Sequence, residues 1–164
     1  MIQERRVPDF TERELRDALG EFATGVTVVT TMTPDGPLGM TVNSFASVSL
    51  DPPFVLWSPA RVSTRFPAFE AASHFAIHVL GLHQRDIADH FTRQGVLAEG
   101  MMTRPGIADI PLIDGCAARF ECRHAAQHDG GDHLIVVGEV LRLERSDVAP
   151  LLYYRGAYSE LVLR

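Results

Sequence analysis

Residues 39–57 read GMTVNSFASVSLDPPFVLW, and their alternation constrains the fold more than any other feature of the chain. Successive side chains of an extended backbone point to opposite sides. Met40, Val42, Ala46, Val48 and Leu50 therefore form one row, and Thr41, Asn43, Ser47 and Ser49 the other. A solvated strand face ordinarily carries Lys, Glu or Arg, whereas this one carries short hydroxyls, one amide and Phe45. The stretch reads as one long strand, or two short ones broken near Phe45, with DPP (51–53) turning the chain into FVLW (54–57). Small hydroxyls are tolerated on a sheet edge at modest cost, and they also suit a surface that follows the polar edge of a ligand.

Strand-like runs recur at VTVVTTM (26–32), HFAIHVLG (74–81), GCAARFECRHAA (115–126) and HLIVVGEVLRLE (133–144), the last two joined through DGGD (129–132). Helical spacing is confined to three segments. Thr11 and Glu14 match a capping box ahead of Leu15, Ala18, Leu19, Phe22 and Ala23, with Gly25 placed to end that helix. Ser63 or Thr64 is placed to cap a short helix through RFPAFEAA, and HQRDIADHFTRQ (83–94) is helical up to Gly95. Residues 96–112 hold Pro and Gly without a period and read as loop. Many strands, few helices and no βαβ alternation predict a mainly β chain: an antiparallel barrel with peripheral helices. At 164 residues it reads as a single domain, 1–164, with the N-terminal helix (residues 1–24) packed on the barrel.

Composition narrows the chemistry. All fifteen basic residues are arginine, so a lysine Schiff base or a P-loop lysine is excluded, and any bound anion must be held by arginine, hydroxyls or backbone N–H groups. A net charge of −6 with scattered arginines argues against a nucleic-acid partner. No apolar run is long enough to span a membrane, and the start of the chain does not read as a secretory signal. Two cysteines make no disulfide framework, which fits a cytoplasmic location; Cys116 and Cys122, six apart, read as buried structural thiols sharing a strand face.

Familiar motifs are mostly missing: there is no G-x-G-x-x-G after a strand and no G-x-S-x-G elbow. His124, His128 and His133 flank a turn with Asp129 and Asp132, but their spacing matches no metal motif, and no metal site is assigned. His133 stands out because it opens a strand directly after Gly130, Gly131 and Asp132, at the rim of the expected barrel. Together with VST at 62–64, these small polar segments suit a flat, amide-rich heterocycle with a phosphate tail.

GMTVNSFASVSLDPP, SPARVSTRF (58–66), HFAIHVL, PLIDGCAARFEC (111–122), GGDHLIVVGEV (130–140) and PLLYYRGAYSEL (150–161) occur in an order that resembles the short-chain flavin reductases, from about Phe22 to Leu161. That resemblance implies a homodimeric split β-barrel that binds FMN or FAD, oxidises NADH or NADPH, and supplies reduced flavin to a partner monooxygenase. It places Thr41, Val42, Asn43 and Ser44 along the flavin ring, continued by Ser47 and Ser49, with Ser63 and Thr64 at its phosphate and Phe75 and Ala76 beside the ring. It places His133, the catalytic candidate, and Tyr158 near the nicotinamide. The sequence departs from that pattern at His78, where many relatives have asparagine, at Ala157, where they have arginine, and at Trp57, where a small apolar residue is usual. A flavoenzyme holding its flavin permanently, a non-enzymatic flavin- or haem-binding module and a histidine-cluster metal protein remain as alternatives. The aromatic and aliphatic residues of PLLYY and AYSELVL, with little left to cover them, also suit a dimer.

Overall fold

The computed structural model describes residues 8–101 and 104–162. Helix α1 (Glu12–Gly20) leads into β1 (Thr24–Gly25), β2 (Thr27–Thr33), β3 (Gly36–Val42), β4 (Ala46–Leu50) and β5 (Pro53–Trp57). Then come α2 (Phe66–Ala71), β6 (His74–Val79), a 3₁₀ turn (Leu82–Gln84) and α3 (Arg85–Arg93). The rest is β7 (Arg104–Pro105), a second 3₁₀ turn (Ile107–Asp109), β8 (Pro111–Leu112), β9 (Ala118–Gly130), β10 (His133–Arg145), β11 (Leu152–Tyr154) and β12 (Ala157–Ser159). With 47% strand against 20% helix, the chain is mainly β as expected.

Seven strands form one antiparallel sheet in the order β3-β2-β6-β9-β10-β5-β4. Chain reach dictates its shape. Strands β3 and β4 are opposite edges of the sheet, yet only Asn43, Ser44 and Phe45 separate them. From Val42 to Ala46 an extended chain covers at most about 14 Å, whereas the edges of a flat seven-stranded sheet stand about 29 Å apart. The sheet must therefore curl until its edges approach. The Ser58 N–H donates to Ser44 Oγ at 2.9 Å, tying the connection to the residue that follows β5. Inside the curl lies one apolar cluster with Met40 from β3, Trp57 from β5, Phe75 from β6 and Val136 from β10, alongside Phe66 and Phe69 of α2. Among the described residues the two edges do not hydrogen-bond to each other, so the sheet is curled but not closed.

A second cluster, with Val28, Leu80, Ala88, Phe91, Ile113 and Leu151, forms under α3. Here the approach is close: a Cβ at Gly39 would stand 2.5 Å from the Phe91 ring, so only glycine lets α3 lie on β3. Beside it, β1, β11 and β12 form a small sheet whose hairpin turns on Arg155 (φ 48°) and Gly156 (φ 78°), both in the left-handed region that a two-residue type I′ turn requires.

The structure departs from the sequence reading at five places. The alternation of 40–50 does not persist: β3 stops at Val42, and a bulge between Ser47 and Ser49 breaks the β4 register. Paired residues share a face, so Ser47, opposite Val55, and Ser49, opposite Phe54, point to opposite sides, while Leu50 is 94% exposed. Helix α1 has its Thr11–Glu14 capping box but ends at Gly20, and Gly25 belongs to β1. That helix buries none of its residues, so it is not packed on the sheet along its length; it is held at its C-terminal end by Glu21, which pairs with Arg155. Helix α2 is N-capped by Arg65 without a side-chain cap bond, so neither Ser63 nor Thr64 fills that place. Residues 96–112 include the β7–β8 pair. Cys116 precedes β9 and joins the second cluster, Cys122 the first; both thiols are buried, which raises them to about 11 and about 12.

His78 is fully buried on β6. Its Nδ1 lies 3.0 Å from the Val28 carbonyl, which can only accept, so Nδ1 carries the proton; Nε2 accepts the Ile113 N–H at 3.1 Å. Both ring nitrogens are satisfied only by the neutral form, and burial lowers the imidazole from 6.5 to about 4. An unfolded chain takes up a proton on this group below about pH 6.5 and the folded chain does not, so its stabilising contribution is complete above that pH and declines as the pH falls towards about 4. By about pH 5 the loss is about 2 kcal/mol. In urea unfolding at about pH 8 and about pH 5, a His78→Asn protein should be the less stable at the higher pH and show a decline smaller by that amount. An identical decline in both proteins would mean that His78 is not buried neutral.

Candidate active site

Three segments meet where the sheet edges approach. The first is the Asn43–Phe45 connection, the second is residues 58–64 between β5 and α2, and the third is the Gly131–Asp132 turn into β10. The Leu134 N–H donates to Pro59 O at 3.1 Å and the Arg61 N–H to Asp132 O at 2.9 Å, so the middle segment runs against the start of β10 as an added strand would. Arg61 holds that arrangement from its side chain, donating to Asp129 Oδ1 at 2.9 Å and to Gly131 O at 3.1 Å. His133 pairs with Ala60 across this contact. Its Nδ1 is 2.7 Å from Asp132 Oδ1, a bond that holds the Asp132 carboxyl below its usual range. With Nδ1 so occupied, Nε2 is the ring nitrogen left to meet a ligand.

Arg65 joins this region to α3. Its Nη1 donates to Phe91 O at 2.6 Å and to Gly39 O at 3.1 Å, and Nη2 donates to Thr92 O at 3.4 Å. A guanidinium on the last carbonyls of a helix satisfies groups that have no partner within it. The Ser63 Oγ accepts the Arg65 N–H at 3.2 Å.

Beside Asn43 opens a cleft of about 540 Å³, within the range of small-molecule sites. One wall is Thr41, Val42 and Asn43; another is the β11–β12 hairpin with Tyr153 and Tyr158; Arg85 and Thr92 of α3 complete it. Thr41 Oγ1 donates to Ala88 O at 2.7 Å, leaving its lone pairs as the free function. Burial, then the neighbouring Asp89 carboxylate, raises the Tyr158 phenol. The Arg85 guanidinium lies 5.1 Å from the centroid of the Tyr158 ring.

Of the residues expected at the site, Thr41, Val42, Asn43 and Tyr158 line this cleft; Ser44 follows Asn43 and accepts the Ser58 N–H, while Ser63, Thr64 and His133 lie outside the lining, on the segments that run between β5 and α2 and into β10. Ser47 and Ser49 lie on the outer edge strand. Phe75 and Ala76 are buried on β6, an interior strand paired on both sides; Phe75 packs 5.9 Å from Trp57. His124 bonds to Ala72 O through Nδ1 and meets the Phe75 ring edge-on. The sequence reading missed Arg85, Thr92 and Tyr153. Arg85 and Thr92 sit on a helix whose polar face reads as solvated, and only the hairpin folding against α3 gives them a cleft to line.

The fold is that of a mainly β protein with a cleft beside the connection between the two edges of its curled sheet. Residues 19–161 match the flavin reductase like domain, and the chain belongs to that family. It is 58% identical over 146 residues to the FMN reductase (NADH) SmoA of Agrobacterium fabrum, a match covering 89% of this chain and 84% of that one. It is 40% identical over 151 residues to the flavin-dependent monooxygenase reductase subunit HsaB of Mycobacterium tuberculosis, covering 90% and 81%. Among solved structures, the NADH:FAD oxidoreductase SgcE6 of Streptomyces globisporus superposes with a TM-score of 0.86 at 35% identity, covering 96% and 98%. Some relatives are longer: the chain spans 48% of the trigonelline monooxygenase reductase component of Acinetobacter baylyi.

Arg65 and Arg61 test how the site is held. Arg65→Met leaves α3 carbonyls without their donor and should lower the free energy of unfolding by about 1–3 kcal/mol. Arg61→Met, at a more exposed pair, should cost about 0–1 kcal/mol. Equal losses in urea unfolding would refute the capping role of Arg65.

Proposed function

We propose that this chain is an NAD(P)H:flavin oxidoreductase that delivers reduced FMN or FAD to a partner monooxygenase. The observation that carries this reading is the cleft beside the connection between the sheet edges, walled by Thr41, Val42 and Asn43. The residues present fit a flavin: apolar Val26, Val42 and Ala157 can cover a flat ring, and the Asn43 amide and the backbone beside it can meet the ring's polar edge. When bound, the flavin accepts a hydride from the nicotinamide, chemistry that belongs to the two cofactors. The chain's part is to hold and orient them. Asn43 and the neighbouring backbone N–H groups stabilise negative charge developing on the ring, as donors aimed at a growing anion do. His133 Nε2 orients the carboxamide of NADH or NADPH, with Nδ1 anchored on Asp132. Ser44 keeps the edge connection against Ser58, and Ser63 and Thr64 offer hydroxyls to a flavin phosphate.

The same reading makes residues 1–164 one flavin reductase-like unit, a homodimeric split β-barrel in the cytoplasm. Exposed apolar residues support the dimer: Leu15, Leu19 and Phe22 on and just after α1, Leu141 and Leu143 on β10, and Leu161 near the end of the chain. Two buried, unpaired thiols fit a reducing compartment. Among the described residues no helix is long and apolar enough to cross a membrane. The names of the relatives SmoA and HsaB support the reductase reading and the monooxygenase partner.

Purified protein should oxidise NADH or NADPH with FMN or FAD, and elute in size exclusion above its 18.1 kDa chain mass. His133→Ala should lower kcat/KM for the nicotinamide about tenfold with flavin affinity unchanged, and Asn43→Ala should weaken flavin binding by a similar factor. No turnover with either nicotinamide and any flavin would overturn the proposal.

A further inference from the structure

Arg85 stands between two clefts. The one beside Asn43 measures about 540 Å³, and a second of about 470 Å³ lies among Leu82, Leu151, Ser159 and Glu160. Arg85 and Tyr158 line both, so they form the shared wall. The guanidinium is held there by the Tyr158 ring, 5.1 Å below it, a cation–π arrangement that keeps the charge in place. Tyr153 supports that ring edge-on at 5.8 Å, and the Tyr158 hydroxyl interacts with Asp89 and Thr92 of α3.

The second cleft also carries the Glu160 carboxylate, but among the described residues no ion pair joins it to Arg85. Arg61, Arg104, Arg119, Arg123, Arg142 and Arg155 each meet a carboxylate. Among the described residues none pairs with Arg85; Asp89, one turn further along α3, interacts with Tyr158 instead. In a chain of net charge −6 without lysine, arginine is the permanent side-chain cation available to a phosphate, and the guanidinium fork matches phosphate oxygens.

We propose that Arg85 anchors a nucleotide phosphate at the junction of the two clefts, the pyrophosphate bridge of a dinucleotide laid across the Arg85–Tyr158 wall. Two cavities of similar size with a cation between them match a ligand of two lobes joined by an anionic bridge. This inference rests on the reductase reading and adds to it the residue that recognises the phosphate. The terminal phosphate of FMN is the other source of the same chemistry. Arg85 is exposed and outside both apolar clusters, so replacing it leaves the fold intact.

The test compares wild type, Arg85→Gln and Arg85→Lys by calorimetric binding of NAD⁺, FMN and riboflavin, and by turnover of NADH against the phosphate-free hydride donor 1-benzyl-1,4-dihydronicotinamide. Arg85→Gln should weaken NAD⁺ binding and raise KM for NADH about tenfold, with kcat and use of the benzyl donor unchanged and partial recovery in Arg85→Lys. Weakened FMN binding with riboflavin and NAD⁺ unaffected supports the phosphate contact and assigns it to the flavin. Unchanged affinity for every phosphorylated ligand, or an equal loss for the phosphate-free ones, overturns the proposal. Arg85-dependent NAD⁺ binding without NADH oxidation would sink the reductase reading while leaving the phosphate site in place.

Discussion

Three residues carry the chain from one edge of a seven-stranded sheet to the other, and the rest of the architecture follows from that short reach. Asn43, Ser44 and Phe45 cannot span a flat sheet, so the strands curl around Trp57, Phe75 and their neighbours. The curl in turn leaves a junction where backbone is irregular and the ladder is interrupted. Such a place holds polar groups that no strand satisfies, and it is where Asn43 emerges beside a cleft. One constraint thus produces both the enclosed core and the site outside it.

Rigidity around that junction comes from buried polar contacts as much as from apolar burial. Thr30 Oγ1 donates to Pro111 O at 2.6 Å, His78 bridges Val28 and Ile113, and Arg65 gathers carbonyls from Gly39, Phe91 and Thr92. These bonds tie the short strand β8, the segment at Ile113 and the end of α3 to strands of the main sheet. Unmet buried donors or acceptors cost more than a formed hydrogen bond gains, so these contacts specify where the segments sit more than they add to stability. His78 takes this role, which explains how a histidine can occupy the middle of a buried strand without ligating anything.

Much of this was legible in the residues, and the failures have physical causes. The β-rich class, the Thr11–Glu14 cap and the two long hairpin strands rest on local rules of period, turn chemistry and capping, whereas the Thr41–Asn43 wall is placed by the family resemblance. The bulge in β4 was not legible, because a strand period cannot reveal one extra residue whose only cause is the partner strand. Helix α1 was assigned its amphipathic face correctly but not its exposure, since periodicity says which face is apolar and not what covers it. Arg85, Thr92 and Tyr153 were invisible as a group because they lie on elements far apart in sequence, brought together only when α3 settles on Gly39.

That last contact links packing to function. With no Cβ at position 39, the Phe91 ring reaches the backbone of β3, and α3 lies close enough for Thr41 to donate to Ala88 O. The same approach brings Arg85 and Thr92 over the end of β3, opposite the β11–β12 hairpin. A side chain at position 39 would lift the helix by the width of that added group. The cleft would widen at the wall where charge and aromatic ring now face the strand, and electrostatic attraction weakens with every ångström of separation. The absence of one methyl group at Gly39 therefore governs how tightly the arginine-bearing wall can close on whatever the cleft holds.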